Sequence, residues 1–267
     1  MISQEEQVRA EAELARQLAN ATASERARLY GAVYDRVYEM HFSRDPEGLD
    51  FGATPQLLNF LGRLTTAGSD VIEVGCGGGL LAIELARRGR RVLGVEVSRR
   101  ILEAASKRAG TVNGVRFVDT VGMAIPADGN SADLVYSVEV LEHLHPDDVA
   151  AHLREVYRVL RPGGRYWLLT PNRLDDISSA DRFGVDVDVD ADVHLKVWTY
   201  SELAPELERV GFQELRSPWR NRRLQWLPLL PVSWFATAEK LPQPLLRDRR
   251  ARSLLGVIAC SIVALKP

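Results

Sequence analysis

Apolar positions along this chain of 267 residues fall into two rhythms. Up to about residue 42 they recur at three-to-four spacing, as in Leu29, Val33, Val37 and Met40, which predicts two helices, the second weakened by Gly31. From residue 70 onward, short β-branched runs alternate with helical stretches, the pattern of βαβ units around a parallel sheet. The runs cover 71–74, 92–97, 115–118, 134–138 and 166–170. Helical stretches fall near 80–88, 99–109 and 147–160, the third opened by Pro146 at a first helical position and stopped by Arg161-Pro162-Gly163-Gly164. A further helix is predicted over 201–210, with closing strands over 212–216 and 257–265.

Two segments break the rhythm. Residues 181–192, DRFGVDVDVDAD, carry five aspartates against one arginine. Their D-x-D-x-D run fails as a calcium loop, because Ala191 stands where that loop needs glycine and Val197 where it needs its closing glutamate. A solvated loop or lid is expected instead. Residues 216–252 carry nine basic residues against two acidic ones and three of the five tryptophans, Trp219, Trp226 and Trp234, and read as an insertion outside the sheet.

Composition narrows the class. A net charge of −2 gives no overall basic field for nucleic acid, so a nucleic-acid partner is not expected. The acidic, helical N-terminus has no signal-peptide core, and no apolar run reaches the roughly 18 residues of a membrane span. Two distant cysteines, Cys76 and Cys260, make a disulfide framework unexpected, so a reducing, cytoplasmic setting is the default.

The chemistry begins at VIEVGCGGG, residues 71–79, a strand running into glycines and then a helix. Gly75, Gly77 and Gly79 permit a tight turn and let a ligand approach backbone N–H groups at a helix start. A dinucleotide fingerprint would want a third glycine where Leu80 stands, which speaks against NAD. About 20 residues further on, Glu96 ends the second strand, where an acid can accept both hydroxyls of a ribose. Glu139, Glu142 and His143 lie at i, i+3 and i+4 behind the fourth strand, so a helical turn would aim all three the same way. Ligands bind at that edge of open α/β sheets. The plainer reading is a run of acids at a helix start, favoured by the helix dipole by about 0.3 to 1 kcal/mol.

Residues 73–79, Glu96 and the later ADLVYSVEVLEHL…LREVYRVLRPGGRYWLLTPN resemble the class I S-adenosylmethionine-dependent methyltransferases, over roughly residues 50 to 215. The resemblance implies a Rossmann-like doubly wound α/β sheet, mostly parallel with an antiparallel last strand. An N-terminal helical cap over 1–50 precedes a methyltransferase domain over 51–267, with an insertion at about 218–252. It further implies that Glu73 engages the methionine amino group, that Gly75, Cys76, Gly77 and Gly79 pass close to the ligand, and that Ser137 belongs to its site. Glu96 is implied on the ribose with Val97 beside the adenine, and Gly122 and Met123 lining the ring. The family's usual acid before the Ile125-Pro126 pair falls near Val121 and is missing or supplied by Asp119. Cys76 reads as a loop filler rather than a nucleophile, since nothing near it in sequence would activate it.

In ubiquinone-pathway catechol O-methyltransferases and small-RNA terminal 2′-O-methyltransferases, which this stretch also resembles, an E-x-x-E-H turn binds a divalent metal, joined in the RNA enzymes by a histidine upstream of a W-T pair. Here the matching residues are Glu139, Glu142, His143 and His194, the last preceding Trp198-Thr199. Two carboxylates and two imidazoles suit manganese, iron or zinc at least as well as magnesium. His143, His145 and His194 are the candidate bases for a hydroxyl acceptor. The expected function is therefore methyl transfer from S-adenosylmethionine to an oxygen of a small molecule with adjacent oxygens. Metal-independent N- or C-methylation and non-catalytic binding of S-adenosylmethionine or S-adenosylhomocysteine are the alternatives. For 216–252 a substrate cap comes first, ahead of a membrane-surface patch or an oligomer contact. Tyr30, Tyr34 and Tyr38 either close the acceptor side of the pocket or pack the core.

Overall fold

The computed structural model describes residues 3–42, 54–174, 193–219 and 227–267. Its strands are β1 (Asp70–Val74), β2 (Arg91–Glu96), β3 (Val115–Asp119), β4 (Ala132–Val138), β5 (Leu160–Pro171), β6 (Gln213–Trp219), β7 (Leu227–Pro231) and β8 (Ala259–Leu265). They form one sheet in the order β3-β2-β1-β4-β5-β8-β6-β7. The five strands from β3 to β5 are parallel. β8 runs antiparallel to β5 and β6, as the resemblance implied. The chain's direction of travel reverses between β1 and β4, and that switch point opens a crevice at their C-terminal ends.

The continuous apolar runs form strands because helices cover both faces of the sheet. Leu134, Tyr136 and Trp167 sit in one core with α3 (Pro55–Leu64) and α4 (Leu80–Arg87). Val135, Tyr166 and Leu168 sit in the other with α1 (Gln4–Asn20), α2 (Ala23–Phe42), α6 (Pro146–Val159) and α7 (Tyr200–Val210). α5 (Arg99–Ala109) begins at Ser98, whose hydroxyl accepts from the Ile101 N–H. Among the described residues no helix is long and apolar enough to cross a membrane.

The structure departs from the sequence reading in two places. α3 was not anticipated, although Thr54 as N-cap and Pro55 at the first helical position start it and Leu57, Leu58, Phe60 and Leu61 bury its inner face. The second departure is a correction: residues 216–252 do not lie wholly outside the sheet. β6 continues to Trp219, and β7 pairs with it as an added edge strand, where proline is tolerated. α8 (Val232–Ala238), α9 (Gln243–Leu246) and α10 (Arg249–Leu255) follow, packed on one another through Ala238, Leu246 and Val257. Trp226 and the acidic run 181–192 lie outside the described residues.

The N-terminal helices are fastened across the crevice by polar contacts. Arg26 donates to both carboxylate oxygens of Asp148 on α6, at 2.7 and 2.8 Å, in a buried ion pair. Burial alone would raise the Asp148 pKa, but hydrogen bonds from Arg26 and Tyr30 pull it below the usual carboxylate range. The Tyr30 hydroxyl donates to Asp148 and accepts from the His145 backbone N–H, each at 2.9 Å. On the same helix Gly31 lies against the Val97 carbonyl, only 2.9 Å from where a Cβ would be. Glycine lets α2 descend onto the end of β2.

Candidate active site

A cavity of about 530 Å³ occupies the crevice, walled by the ends of β1, β2 and β4, the loops after them, and the inner face of α1 and α2. The half where the sequence resemblance expects the cofactor is built from β1 and β2. The loop after β1 turns through positive φ at Gly75, Gly77 and Gly79. At Gly75 a Cβ would come within 2.5 Å of Val140, so glycine is required by space as well as by backbone angle. Glu96 is 4% exposed and accepts from the backbone N–H of Gly77 at 3.1 Å, Val97 at 2.8 Å and Ser98 at 3.1 Å. Burial raises its pKa, and those three donors work against that rise. Glu73 is equally buried; beside it the Tyr136 hydroxyl has its pKa raised by burial and by the Glu73 charge. Burial likewise keeps the Cys76 thiol protonated, in line with its reading as a filler.

The half where the resemblance expects the acceptor is assembled from segments far apart in sequence. Residues Leu141–His143 form a single 3₁₀ turn, not an α-helical one, after Glu139 at φ 54. Segment 193–199 docks onto this turn: the N–H groups of Leu195 and Lys196 both donate to the Glu142 carbonyl, at 2.7 and 3.2 Å. Val193 enters that segment at φ 57, a costly angle for a β-branched residue and a form of strain that clusters at functional sites. The His143 ring lies 5.0 Å from the His194 ring, and its Nδ1 is 3.2 Å from the Val193 carbonyl. Ligand atoms of Glu142, His143 and His194 all fall within 4.8 Å of one another. Glu142 is fully buried; its Oε2 accepts from Thr170 at 2.8 Å, while Oε1 has no hydrogen-bond partner among the described residues. Burial raises its pKa to about 7 against the lowering influence of His194. Tyr34 on α2 meets His143 edge-on at 5.6 Å, so the lid that α1 and α2 make over the cavity touches the turn directly.

Of the residues expected at the site, Glu73, Gly75, Cys76, Gly77, Glu96, Val97, Gly122, Met123, Glu139, Glu142, His143 and His194 line this cavity. So do Tyr30, Tyr34 and Tyr38. Glu139 borders it without joining the three-residue cluster, because the 3₁₀ turn begins after it. Four others are placed elsewhere. Gly79 is the left-handed N-cap of α4, where a Cβ would strike Phe117 at 2.5 Å. Asp119 pairs with Arg99 at 2.8 Å on the surface, leaving Thr120 beside Gly122 and Met123. Ser137 is buried against the Tyr166 hydroxyl at 2.7 Å. His145 caps α6, accepting from the Asp147 N–H.

Two buried ionisable residues on the wall are not apparent from the sequence. Glu11 on α1 is 3% exposed and accepts from Gln7 at 2.8 Å. His152 on α6 is buried, its Nε2 3.2 Å from the Tyr166 hydroxyl and its pKa lowered by burial to about 4. Both are buried polar residues on amphipathic helices. That is the one local signal that sets them apart.

The model of the family described as Methyltransferase domain matches residues 72–168. The ubiquinone biosynthesis O-methyltransferase of Xanthomonas euvesicatoria pv. vesicatoria (strain 85-10) is 33% identical over 174 residues, covering 60% of this chain and 72% of that protein. The protein of that name from Sinorhizobium medicae (strain WSM419) is 33% identical over 142 residues, and there the chain spans 50% of the relative's length. Among solved structures, the [4+2]-cyclase SpnF superposes with a TM-score of 0.60 at 19% identity, over 90% of this chain and 97% of that one. Phosphoethanolamine N-methyltransferase 2 of Haemonchus contortus, in complex with S-adenosyl-L-methionine, superposes at 0.58 and 19% identity, over 87% of this chain and 57% of that one. A cyclase and an N-methyltransferase on one fold show that the fold leaves the reaction open. Taken with the Glu73-to-Gly79 loop and Glu96, the match over most of the Xanthomonas relative shows that the chain belongs to the class I S-adenosylmethionine-dependent methyltransferases.

Proposed function

We propose that this protein transfers the methyl group of S-adenosylmethionine to one of two adjacent hydroxyl oxygens on a small molecule, with a divalent metal held by Glu142, His143 and His194. The observation that carries the proposal is the convergence of those three side chains on the wall of the cavity that also holds Glu73 and Glu96. Relatives named ubiquinone biosynthesis O-methyltransferase support oxygen as the target.

The residues fit the methyl donor. Glu96 can accept from ribose hydroxyls through lone pairs its three backbone donors leave over, and the glycine loop offers an approach that a Cβ at residue 75 would block. They also fit a metal. A buried carboxylate oxygen without a hydrogen-bond donor is costly unless a cation or proton meets it. One oxygen and two imidazole ligands suit manganese, iron or zinc. A bound ion would lower the pKa of a hydroxyl on it.

The chain's part is chiefly positioning. Displacement at the sulfonium carbon needs the oxygen about 3 to 3.5 Å away and in line. The 3₁₀ turn and segment 193–199 fix Glu142, His143 and His194 against the C-terminal ends of β4 and β5. Tyr34 on α2 lies against His143 and Tyr38 lies near Glu96 and Cys76, and burial raises both hydroxyl pKa values and keeps them protonated. Without an ion, His143 or His194 would instead be the base that takes the hydroxyl proton. Incubation with isotope-labelled S-adenosylmethionine and a panel of catechols tests the proposal. Labelled mono-O-methyl product is expected, and labelling of amines or carbon acids instead would overturn it.

A further inference from the structure

Building on the proposed metal at Glu142, His143 and His194, we infer that Glu239, the residue that closes α8, is a positioning residue for His194. It clamps the end of β5 to the start of α7, on either side of the segment that carries the histidine. Among the described residues of 216–252 none lines the cavity, so what this part of the chain does for the acceptor half it does from behind.

The Glu239 carboxylate gathers four donors. Its Oε1 accepts from the Asn172 side-chain amide and from the Tyr200 N–H, each at 2.8 Å. Its Oε2 accepts from the Ser201 N–H at 3.0 Å and from the Ser201 hydroxyl at 2.8 Å. Tyr200 and Ser201 open α7, and the first N–H groups of a helix have no acceptor within it, while the positive end of its dipole favours an anion. Within α7 the Glu202 carboxylate turns back to the Thr199 N–H, at 3.0 Å, so Tyr200 and Ser201 draw their acceptor from elsewhere in the chain. Apolar packing delivers it: Phe235 on α8 is fully buried and stacks on the Tyr200 ring at 5.0 Å and 25°.

From this clamp a chain of contacts runs to the acceptor half. Asn172, just past β5, is fully buried and its backbone bridges to Trp198, whose carbonyl accepts from the Arg173 N–H at 3.0 Å. The Trp198 indole N–H donates at 3.4 Å to the carbonyl of Leu141, the first residue of the 3₁₀ turn. Leu195 and Lys196 then donate to the Glu142 carbonyl. His194 is therefore held over the turn by a segment whose two anchors, Asn172 and Tyr200, share one oxygen of Glu239. Groups that orient metal ligands without touching the ion typically change its affinity about 10- to 100-fold. Glutamine at 239 would replace one oxygen by an NH₂ group, setting donor against donor on whichever side it faces.

The test uses the full chain without ligand and reads native-state hydrogen exchange by NMR. Glu239→Gln should speed exchange at the Leu195 and Lys196 N–H groups at least about tenfold, while those of Gly77, Val97 and Ser98, which donate to Glu96, stay within about twofold. Calorimetry with manganese alone should show binding about tenfold weaker in the variant, with S-adenosylhomocysteine held within about twofold. Unchanged exchange at Leu195 and Lys196 would overturn the inference, as would equal manganese affinity in the two proteins. So would a rise of the same size at both sets of amides, the mark of a merely lower global stability. If Glu239→Gln does not fold, Glu239→Asp, which keeps the charge but is too short to span both sides, is read in the same way. Wild-type protein that binds no manganese, while Leu195 and Lys196 respond as expected, would refute the metal and leave the positioning role standing.

Discussion

The two halves of the cavity are made in opposite ways. In the cofactor half, backbone does the work: three glycines at positive φ and a strand-end glutamate tied to three N–H groups, all within 26 residues of Glu73. In the acceptor half, side chains do it: Glu142 and His143 come from one segment and His194 from another, entered through residues at positive φ, 139 and 193, with a raised carboxyl pKa at the centre. In the first, Glu96 has its backbone donors in place before any ligand arrives. The second carries a deficit, and deficits of this kind collect where chemistry happens.

The sharpest way to separate the halves is to change one and read the other. Glu142→Gln should lower kcat at least about 1,000-fold while S-adenosylhomocysteine binds within about twofold of wild type, the pattern of a group that acts on the reacting oxygen alone. Equal losses in both would mean that the turn supports the cofactor half instead. The lid comes next. Arg26→Ala leaves Asp148 buried without its partner and should cost about 3 kcal/mol in urea unfolding. Acceptor KM should rise at the same time, since Tyr34 reaches His143 through the helix that Arg26 fastens.

The reciprocal change is Glu96→Ala, which should weaken S-adenosylhomocysteine about 100-fold, near 3 kcal/mol, by removing charge-assisted hydrogen bonds to the ribose. Affinity for the catechols should hold. The smallest effect lies behind the acceptor half, at His152. Burial holds its folded pKa at about 4, below the ordinary 6.5 of a solvated histidine, so the unfolded chain binds the proton that the folded one refuses. Its share of stability is thus complete above pH 6.5 and is lost as pH falls toward 4, by about 3 kcal/mol. Urea unfolding from pH 7 to 4.5 should show His152→Gln losing less stability than wild type; parallel curves would remove His152 from the account.

The same contrast explains what could be read from sequence. The cofactor half was legible because its determinants are local: a strand, a glycine loop and an acid follow one another, and each carries its own conformational reason. β8 fell into place with its direction, and His194 was found because Trp198 and Thr199 mark its segment. What escaped depends on tertiary placement. Asp119 reads as an adenine contact until Arg99 takes it, and His145 reads as a base until its ring caps α6. Glu139 shares a helical spacing with Glu142 and His143, yet the chain makes a 3₁₀ turn that starts two residues later. Glu11 and His152 are polar positions on amphipathic helices, and only the packing of α1 and α6 turns them toward the cavity. β7 was hidden by its prolines, which an edge strand tolerates.

The central claim is that Glu142, His143 and His194 hold a divalent ion on which methyl transfer depends. The most direct measurement is the rate of catechol methylation by chelator-stripped protein as manganese is returned. Activity below about one hundredth of the maximum without metal, rising to a plateau at one equivalent, is the predicted result. Full activity in protein shown by elemental analysis to hold no metal would contradict the claim.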